Sequence, residues 1–402
     1  ATDNDSVNKK DAFYNTPLHY AVQEKHTHIV DYIVELISNK KLPVQIRARN
    51  NEGDTPLHLA VKTLGLKRGN EVLVTSITNM ATYFAVLYEG ATPVPIDVNT
   101  HDLNINIKDI EKKITKNTKA IIVVHLFGKP VNMREIMKIK KKYNLYLVED
   151  CAEAHGAEYN KKKVGSFGDI NCFSFYANKI ITTGEGGMIT TDNKQLRDLI
   201  WSIKDHGKSL ELVKRKDNSQ SFKWLHERFG TNYRLTEMQS AIGRVQLKKL
   251  SNWSISRSNN SKILYEALSS LKIVRIPTPP INLQHAWYKF YAYLNEDYLD
   301  ANWSRDRILD EINKEGYPAF QGSCSEIYLE KCFQVNLLNP SFRLPVAKKL
   351  GETSLMFLVH PTIKEFEMKT YSNIIKKVLL SSSKKKIERA KKEQDALEAL
   401  EV

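Results

Sequence analysis

Glu149, Asp150, Glu153, His155 and Lys179 share the stretch "VEDCAEAHGAEYNKKKVGSFGDINCFSFYANKIITTGEGGM" (148–188). Glu149 and Asp150 close the apolar run "LYLVED" (145–150), which reads as a buried strand. Open α/β sheets bind ligands beyond the carboxyl ends of their strands, so these acids stand where chemistry is done. Lys179 lies in a turn after the apolar strand "CFSFY" and ahead of "GEGG" (184–187), whose glycines let a ligand approach the backbone. A neutral lysine amine attacks carbonyl carbons and can afterwards carry a proton, and a nearby carboxylate can hold a cation or a proton. The bland alternatives are a surface lysine, a helix N-cap at Asp150 and an ordinary tight turn at GEGG.

The elements that must position these groups alternate. "NEVLVTS" (70–76), "TPVPIDV" (92–98), "AIIVVHLF" (120–127) and "LYLVED" read as extended segments. "NMATYFAVLYEG" (79–90), "NIKDIEKKIT" (106–115) and "MREIMKIKKKYN" (133–144) read as helices between them. This order implies a mostly parallel sheet with helices on both faces. A long amphipathic helix is expected over 242–271, a strand over "HAWYKFYAYL" (285–294) and a helix over 304–316 that Gly316 ends.

The N-terminus follows another rule. "NTPLHYAVQEKHTHIVDYIVEL" (15–36) resembles an ankyrin repeat, and a second TPLH begins at Thr55, 39 residues after Thr16, against about 33 for an ordinary repeat. Two repeats fall short of the three or more usually needed to stand alone. Beyond Leu380, "SSSKKKIERAKKEQDALEALEV" reads as a basic helical tail.

The block 148–192 resembles the DegT/DnrJ/EryC1 family of pyridoxal-phosphate (PLP) nucleotide-sugar aminotransferases, and "SFYANKIITTGEGGM" its perosamine-synthase-like branch. Further matching stretches are "AVLYEGATPV" (85–94), "HLFGKPVNM" (125–133), "GTNYRLTEMQSAIGRVQL" (230–247), "HAWYKFY" (285–291) and "GSCSEIYLEK" (322–331). The resemblance implies an α/β, PLP fold type I (aspartate-aminotransferase-like) architecture. Its sheet is mixed and mostly parallel, with a smaller C-terminal α+β domain. The expected division is 1–52 ankyrin-like, 53–250 large PLP-binding domain, 251–380 small domain and 381–402 tail.

The same resemblance assigns roles. Lys179 forms the Schiff base with the PLP aldehyde, and Asp150 pairs with the pyridine nitrogen so that the ring acts as an electron sink. Glu153 lies against the ring or its phenolic oxygen, and Ser174 gives a hydroxyl to the phosphate. Asn232 reaches the phosphate of the partner subunit's cofactor, which implies a homodimer with shared active sites, and Tyr233 and Arg234 help form that edge. His155 supports the site. His285, Ser323 and Glu326 are expected contacts of the nucleotide-diphosphate sugar. Asn79 stands where many relatives stack an aromatic ring on PLP. The family's phosphate turn reads Gly-Thr-(Ser/Thr/Ala)-Ala-Leu, whereas this chain has Gly53-Asp54-Thr55-Pro56-Leu57. Asp54 and Thr55 are therefore the expected cofactor contacts there. Pro56 has no N–H to give, and Asp54 sets a carboxylate where a phosphate should sit. Losing one buried donor costs on the order of 1–3 kcal/mol. A helix is expected from about Thr55 on either the ankyrin or the aminotransferase reading.

The expected reaction is transamination of a nucleotide-linked 4-keto-6-deoxyhexose with glutamate as amino donor. The competing reading is an ankyrin-fused, catalytically impaired scaffold that binds a protein partner. The net charge of +14 over 402 residues suits polyanions, yet no nucleic-acid-binding module is recognisable and none is expected to bind. No apolar run approaches the roughly 20 residues of a membrane helix, and a cytoplasmic protein is expected. Cys151, Cys172, Cys324 and Cys332 fit no common zinc spacing, so reduced thiols and no metal are expected.

Overall fold

The computed structural model describes residues 56–101, 103–214, 224–335, 340 and 342–384. The ankyrin-like segment, Asp54, Thr55 and nearly all of the tail lie outside the described residues.

Helix α1 (Pro56–Thr63) opens the described chain with proline as its first residue, where the missing N–H breaks no helical bond. There follow β1 (Glu71–Thr75), α2 (Met80–Tyr88), β2 (Thr92–Ile96), α3 (Ile107–Lys113), β3 (Thr118–Val124), α4 (Met133–Tyr143) and β4 (Tyr146–Asp150). A small hairpin, β5 (Glu158–Tyr159) and β6 (Lys162–Lys163), precedes β7 (Ile170–Ser174), β8 (Gly187–Thr190), α5 (Lys194–Lys204) and the short α6 (Leu210–Lys214). The six-stranded sheet runs β2-β1-β3-β4-β7-β8, parallel throughout except that β8 pairs antiparallel with β7.

Strand alternation explains why these segments are sheet and why they read as unbroken apolar runs. In β3, Ala120 and Ile122 face one core, with Leu57, Val61, Tyr83 and Val86 of α1 and α2. Ile121 and Val123 face the other, with Ile110 of α3 and Met133, Ile136 and Ile139 of α4. A parallel sheet covered on both faces has no side left for polar residues. Each fully buried Val or Ile contributes about 1.5–3 kcal/mol.

The 32-residue α7 (Glu237–Leu268) leads from this sheet to the second one. It starts earlier than the apolar periodicity suggests, because Thr236 and Gln239 form a capping box across its first turn. The second sheet, order β12-β13-β11-β9, is antiparallel and is built from β9 (Val274–Arg275), β11 (Phe290–Leu294), β12 (Ala319–Phe320) and β13 (Ser354–Phe357). β10 (Leu283–Gln284) pairs instead with β5. Helices α8 (Arg305–Lys314), α9 (Lys331–Val335), α10 (Pro345–Thr353) and α11 (Glu365–Ser381) complete this part. Leu264 and Leu268 of α7, Ile308 and Ile312 of α8 and Ile375 of α11 are among the residues of its core.

The strand expected over 285–294 begins only at Phe290. Before it, Ala286 and Tyr288 donate backbone hydrogen bonds to Gly128 (2.8 Å) and Phe127 (3.1 Å) of the loop after β3. Between them Trp287 turns to a φ of 49°. No helix among the described residues is long and apolar enough to cross a membrane.

Candidate active site

The carboxyl ends of β4 and β7 build the site. Asp150, the last residue of β4, is 8% exposed. Its Oδ1 accepts from the Ala152 amide (3.1 Å) and its Oδ2 from the Thr82 hydroxyl (3.2 Å). Burial pushes its carboxyl above the usual range, with the Ala152 amide and the Lys179 charge opposing. Each oxygen keeps acceptor capacity, and among the described residues no cation lies within ion-pair distance.

Lys179 reaches the same space from the loop after β7. Its Nζ is 3.4 Å from Glu153 Oε1 and 5.0 Å from the centre of the Tyr288 ring. The second Glu153 oxygen accepts from the Phe127 amide (2.9 Å), which fixes the carboxylate. The lysine loop is itself pinned to α7. Thr182 donates its amide to Gln246 (2.8 Å), and Gln239 donates to the Glu185 carbonyl (3.1 Å). Burial, followed by the Glu153 charge, raises the Tyr288 phenol, so it stays neutral beside the ammonium.

His155 is 4% exposed, with the Ser174 backbone beside its ring. Burial, then the Lys179 charge, lowers its pKa to about 4. Its ring lies 5.5 Å from Phe173 and 6.0 Å from Phe175.

Glu149, adjacent to Asp150, belongs to the scaffold. It accepts from the amides of Gly165 (2.9 Å), Phe167 (2.6 Å) and Gly168 (2.7 Å), and lies 2.9 Å from His125 Nε2. His125 Nδ1 accepts from the Val131 amide (3.1 Å), so the ring proton sits on Nε2. Burial raises the Glu149 carboxyl, but the His125 hydrogen bond and the Gly165 and Gly168 amides outweigh it and hold it low. The buried group His125, Glu149 and Cys151 has metal-ligand spacing, yet its histidine nitrogens are both committed.

On the opposite side, Ser174 Oγ accepts from the Tyr176 amide (3.3 Å), leaving its proton free to donate. A Cβ at Gly187 would lie 2.3 Å from Pro56 Cγ and 2.5 Å from the Phe173 carbonyl, so only glycine lets β8 pass beside the start of α1.

The other expected contacts divide. Asn232 is exposed and accepts from Arg234 Nε (3.0 Å), while Arg234 also lies 3.6 Å from Asp205. Tyr233 packs against the core beneath α1 and α2. His285 Nδ1 accepts from the Trp287 amide (2.8 Å) and its ring stacks on that indole at 4.1 Å. The Ser323 backbone lies beside Tyr291. The Asn79 side chain caps α2 through the Ala81 amide (3.0 Å). Glu326 is buried and engaged by Arg343 and by the Tyr328 hydroxyl (2.7 Å). Thr82, Phe127 and Tyr288 complete the site without having been singled out from sequence. Tyr288 lies in "HAWYKFY" and Phe127 in "HLFGKPVNM", two of the matching stretches.

A lysine amine and a buried, cation-seeking carboxylate on adjoining strand ends match a set of proteins. The model of the DegT/DnrJ/EryC1/StrS aminotransferase family matches residues 48–378. The chain belongs to that family. An ankyrin-repeat model (three copies) matches residues 2–79, so both models cover residues 48–79. An aminotransferase from Psychrobacter cryohalolentis superposes with a TM-score of 0.79 at 46% identity, covering 81% of this chain and 85% of that one. A GDP-perosamine synthase of Caulobacter vibrioides is 36% identical over 67% of this chain and 70% of that protein. A UDP-N-acetyl-3-dehydro-alpha-D-glucosamine 3-aminotransferase of Acidithiobacillus ferrooxidans is 33% identical over 81% and 82% respectively.

The family's enzymes depend on PLP, and the residues of this DegT/DnrJ/EryC1/StrS aminotransferase fit it. Asp150 offers a desolvated carboxylate with acceptor capacity to a protonated ring nitrogen, which would relieve the cost of its burial. Lys179 offers the amine, and Ser174 a hydroxyl to the phosphate.

Proposed function

We propose that this protein transfers an amino group from glutamate to C4 of a nucleotide-linked 4-keto-6-deoxyhexose, releasing 2-oxoglutarate and the 4-amino sugar. The observation that carries the reading is Lys179 beside Glu153 and electrostatically coupled to buried Asp150 at the strand ends. The similarity to a GDP-perosamine synthase supports the substrate class. When bound, PLP supplies a carbonyl for the amine and a ring that stabilises negative charge on the neighbouring carbon. Asp150 holds the proton on the ring nitrogen. The Lys179 amine would carry the proton taken from the substrate. Glu153, tied to the Phe127 amide, orients the lysine, and Tyr288 closes that side against water.

A second copy of the chain completes the site on this reading. Large apolar side chains stand exposed at Tyr176, Met188, Phe229, Ile242 and Val245, on the lysine loop, β8, the segment leading into α7 and α7 itself. Asn232, also exposed, would reach across such an interface to the partner's cofactor phosphate. Incubating the protein with PLP, glutamate and GDP- or dTDP-linked 4-keto-6-deoxyhexoses, with mass spectrometry of the sugar product, tests the reaction. Amino sugar should form with the wild type and not with Lys179→Ala. PLP-loaded dimer that forms 2-oxoglutarate but aminates none of these sugars would refute the substrate class.

The ankyrin match favours a further role, protein binding through the N-terminal segment. Lys179→Ala should leave such binding intact.

A further inference from the structure

Arg257, on α7, is a buried cation that the chemistry above does not use. It is 3% exposed, and among the described residues no carboxylate lies within ion-pair distance of it. Burial lowers its pKa to about 10, with the Tyr288 phenol opposing. A buried charge without a counter-ion is expensive, and an apolar side chain of like volume would be the more stable choice. Groups kept under such conditions gather at functional sites. The helix face that carries Arg257 also backs the rest of the site. Gln239 and Gln246 hold the lysine loop, and Gly156, three residues after Glu153, lies against Leu250 and Ser254. Arg257 follows at helical spacing and meets the segment that leads into β11.

There its Nη1 donates to two successive carbonyls, those of Trp287 and Tyr288, at 3.2 Å each. In an extended strand successive carbonyls point to opposite sides, so one donor does not reach both. Trp287 breaks the alternation with its φ of 49°, a value unfavourable to a residue with a side chain. Such a conformation persists only where the surroundings impose it. The amides are held separately: Ala286 donates to Gly128, Tyr288 to Phe127 and Trp287 to His285 Nδ1. These bonds anchor the segment, and the guanidinium gathers its two carbonyls. The residue after the turn is Tyr288, 7% exposed, whose ring centre lies 5.0 Å from Lys179 Nζ.

Resting on the glutamate-dependent reading above, we propose that Arg257 is a positioning residue of the transamination: it locks the left-handed turn at Trp287, and so holds the Tyr288 ring against the Lys179 amine. Its hydrogen bonds go to backbone carbonyls, so it acts on the lysine through Tyr288. A lysine at this position would keep the charge but replace the planar fork with a compact donor on a flexible stem. Loosening of the reacting groups by about 1 Å can cost about a hundredfold in rate. Asn260, on the next turn of α7, supplies the comparison. It is 5% exposed and also donates to two carbonyls, those of His360 (3.0 Å) and Ile363 (3.4 Å), away from Tyr288.

The test joins two readouts on the full chain. In cofactor-free protein, competitive acetylation followed by mass spectrometry reports how well Tyr288 covers Lys179. Arg257→Lys should raise Lys179 acetylation severalfold and leave the exposed Lys112 and Lys161 unchanged. In PLP-loaded protein, release of 2-oxoglutarate from glutamate should fall in kcat about tenfold for Arg257→Lys and about a hundredfold for Arg257→Met, with the KM for glutamate within about twofold. Tyr288→Leu should produce the same two changes, and Arg257→Lys added to it should cost nothing further. Asn260→Ala should lower the melting temperature and move neither readout. Losses that add in the double variant, or Lys179 acetylation raised as much by Asn260→Ala, would overturn the proposal. Arg257→Lys decides the matter if Arg257→Met does not fold. If the wild type turns glutamate over and Arg257→Lys alters neither readout, the positioning role falls and the function stands. If the wild type yields no 2-oxoglutarate while Arg257→Lys still uncovers Lys179, the donor reading has failed and the hold on the amine stands.

Discussion

The two ends of the active site are built by different means. At the Asp150–Lys179 end, each polar group is fixed by the sheet or by α7: Asp150 ends β4, Glu153 is tied to the Phe127 amide, and the lysine loop is held through Gln239 and Gln246. At the other end, Ser174 and the mouth of α1 face the cofactor's phosphate on the family reading, and α1 opens with a residue that has no amide proton. The residues just before it are covered by two family models at once. A site can therefore keep its reactive end intact while the end that retains the cofactor changes. Chemistry and retention are separable.

Variants sharpen that division, from the largest effect to the smallest. Lys179→Ala should lower transamination by at least about a thousandfold and abolish borohydride fixation of PLP, with the melting temperature little changed. Asp150→Asn should cost about a hundredfold to a thousandfold in kcat by removing the charge that holds the ring proton, measured as single-turnover amine transfer. Pro56→Ala acts at the other end. It restores one N–H at the α1 mouth and should tighten PLP retention by up to about tenfold in dialysis, with kcat at saturating cofactor nearly unchanged. Equal changes in kcat and retention in the last two variants would erase the distinction between the ends.

The smallest effect concerns pH. His155 is lowered in the fold to about 4 from an ordinary 6.5. The unfolded chain therefore binds this proton more readily, so the contribution is whole above 6.5 and is lost as pH falls toward 4. The melting temperature of cofactor-free protein should drop across that window, and His155→Gln should flatten the drop.

Much of this was legible in the sequence because buried parallel strands announce themselves. "AIIVVHLF" and "LYLVED" became β3 and β4, and the acids at the end of the latter lie where an α/β sheet puts them. The position of Lys179 came from family resemblance, since no periodicity distinguishes one loop lysine from another. What stayed hidden was long-range. Thr82 meets Asp150 across 68 residues, and Glu153 finds the Phe127 amide across 26. The strand expected from His285 failed at its start for a related reason. Ala286 and Tyr288 hydrogen-bond to the Phe127–Gly128 turn, a partner that alternation of apolar residues cannot name. Glu326 and Asn79 have partners within the protein that their motifs do not name: Arg343 and the Tyr328 hydroxyl for the first, the Ala81 amide for the second.

Glu149 gives three backbone amides of the 165–168 loop one buried acceptor. In hydrogen exchange, the amides of Gly165, Phe167 and Gly168 should persist as long as those of the central strands, although none belongs to a helix or a strand. Their exchange would report whether the sheet edge beneath the lysine loop is folded, even in protein that has lost its cofactor and its colour.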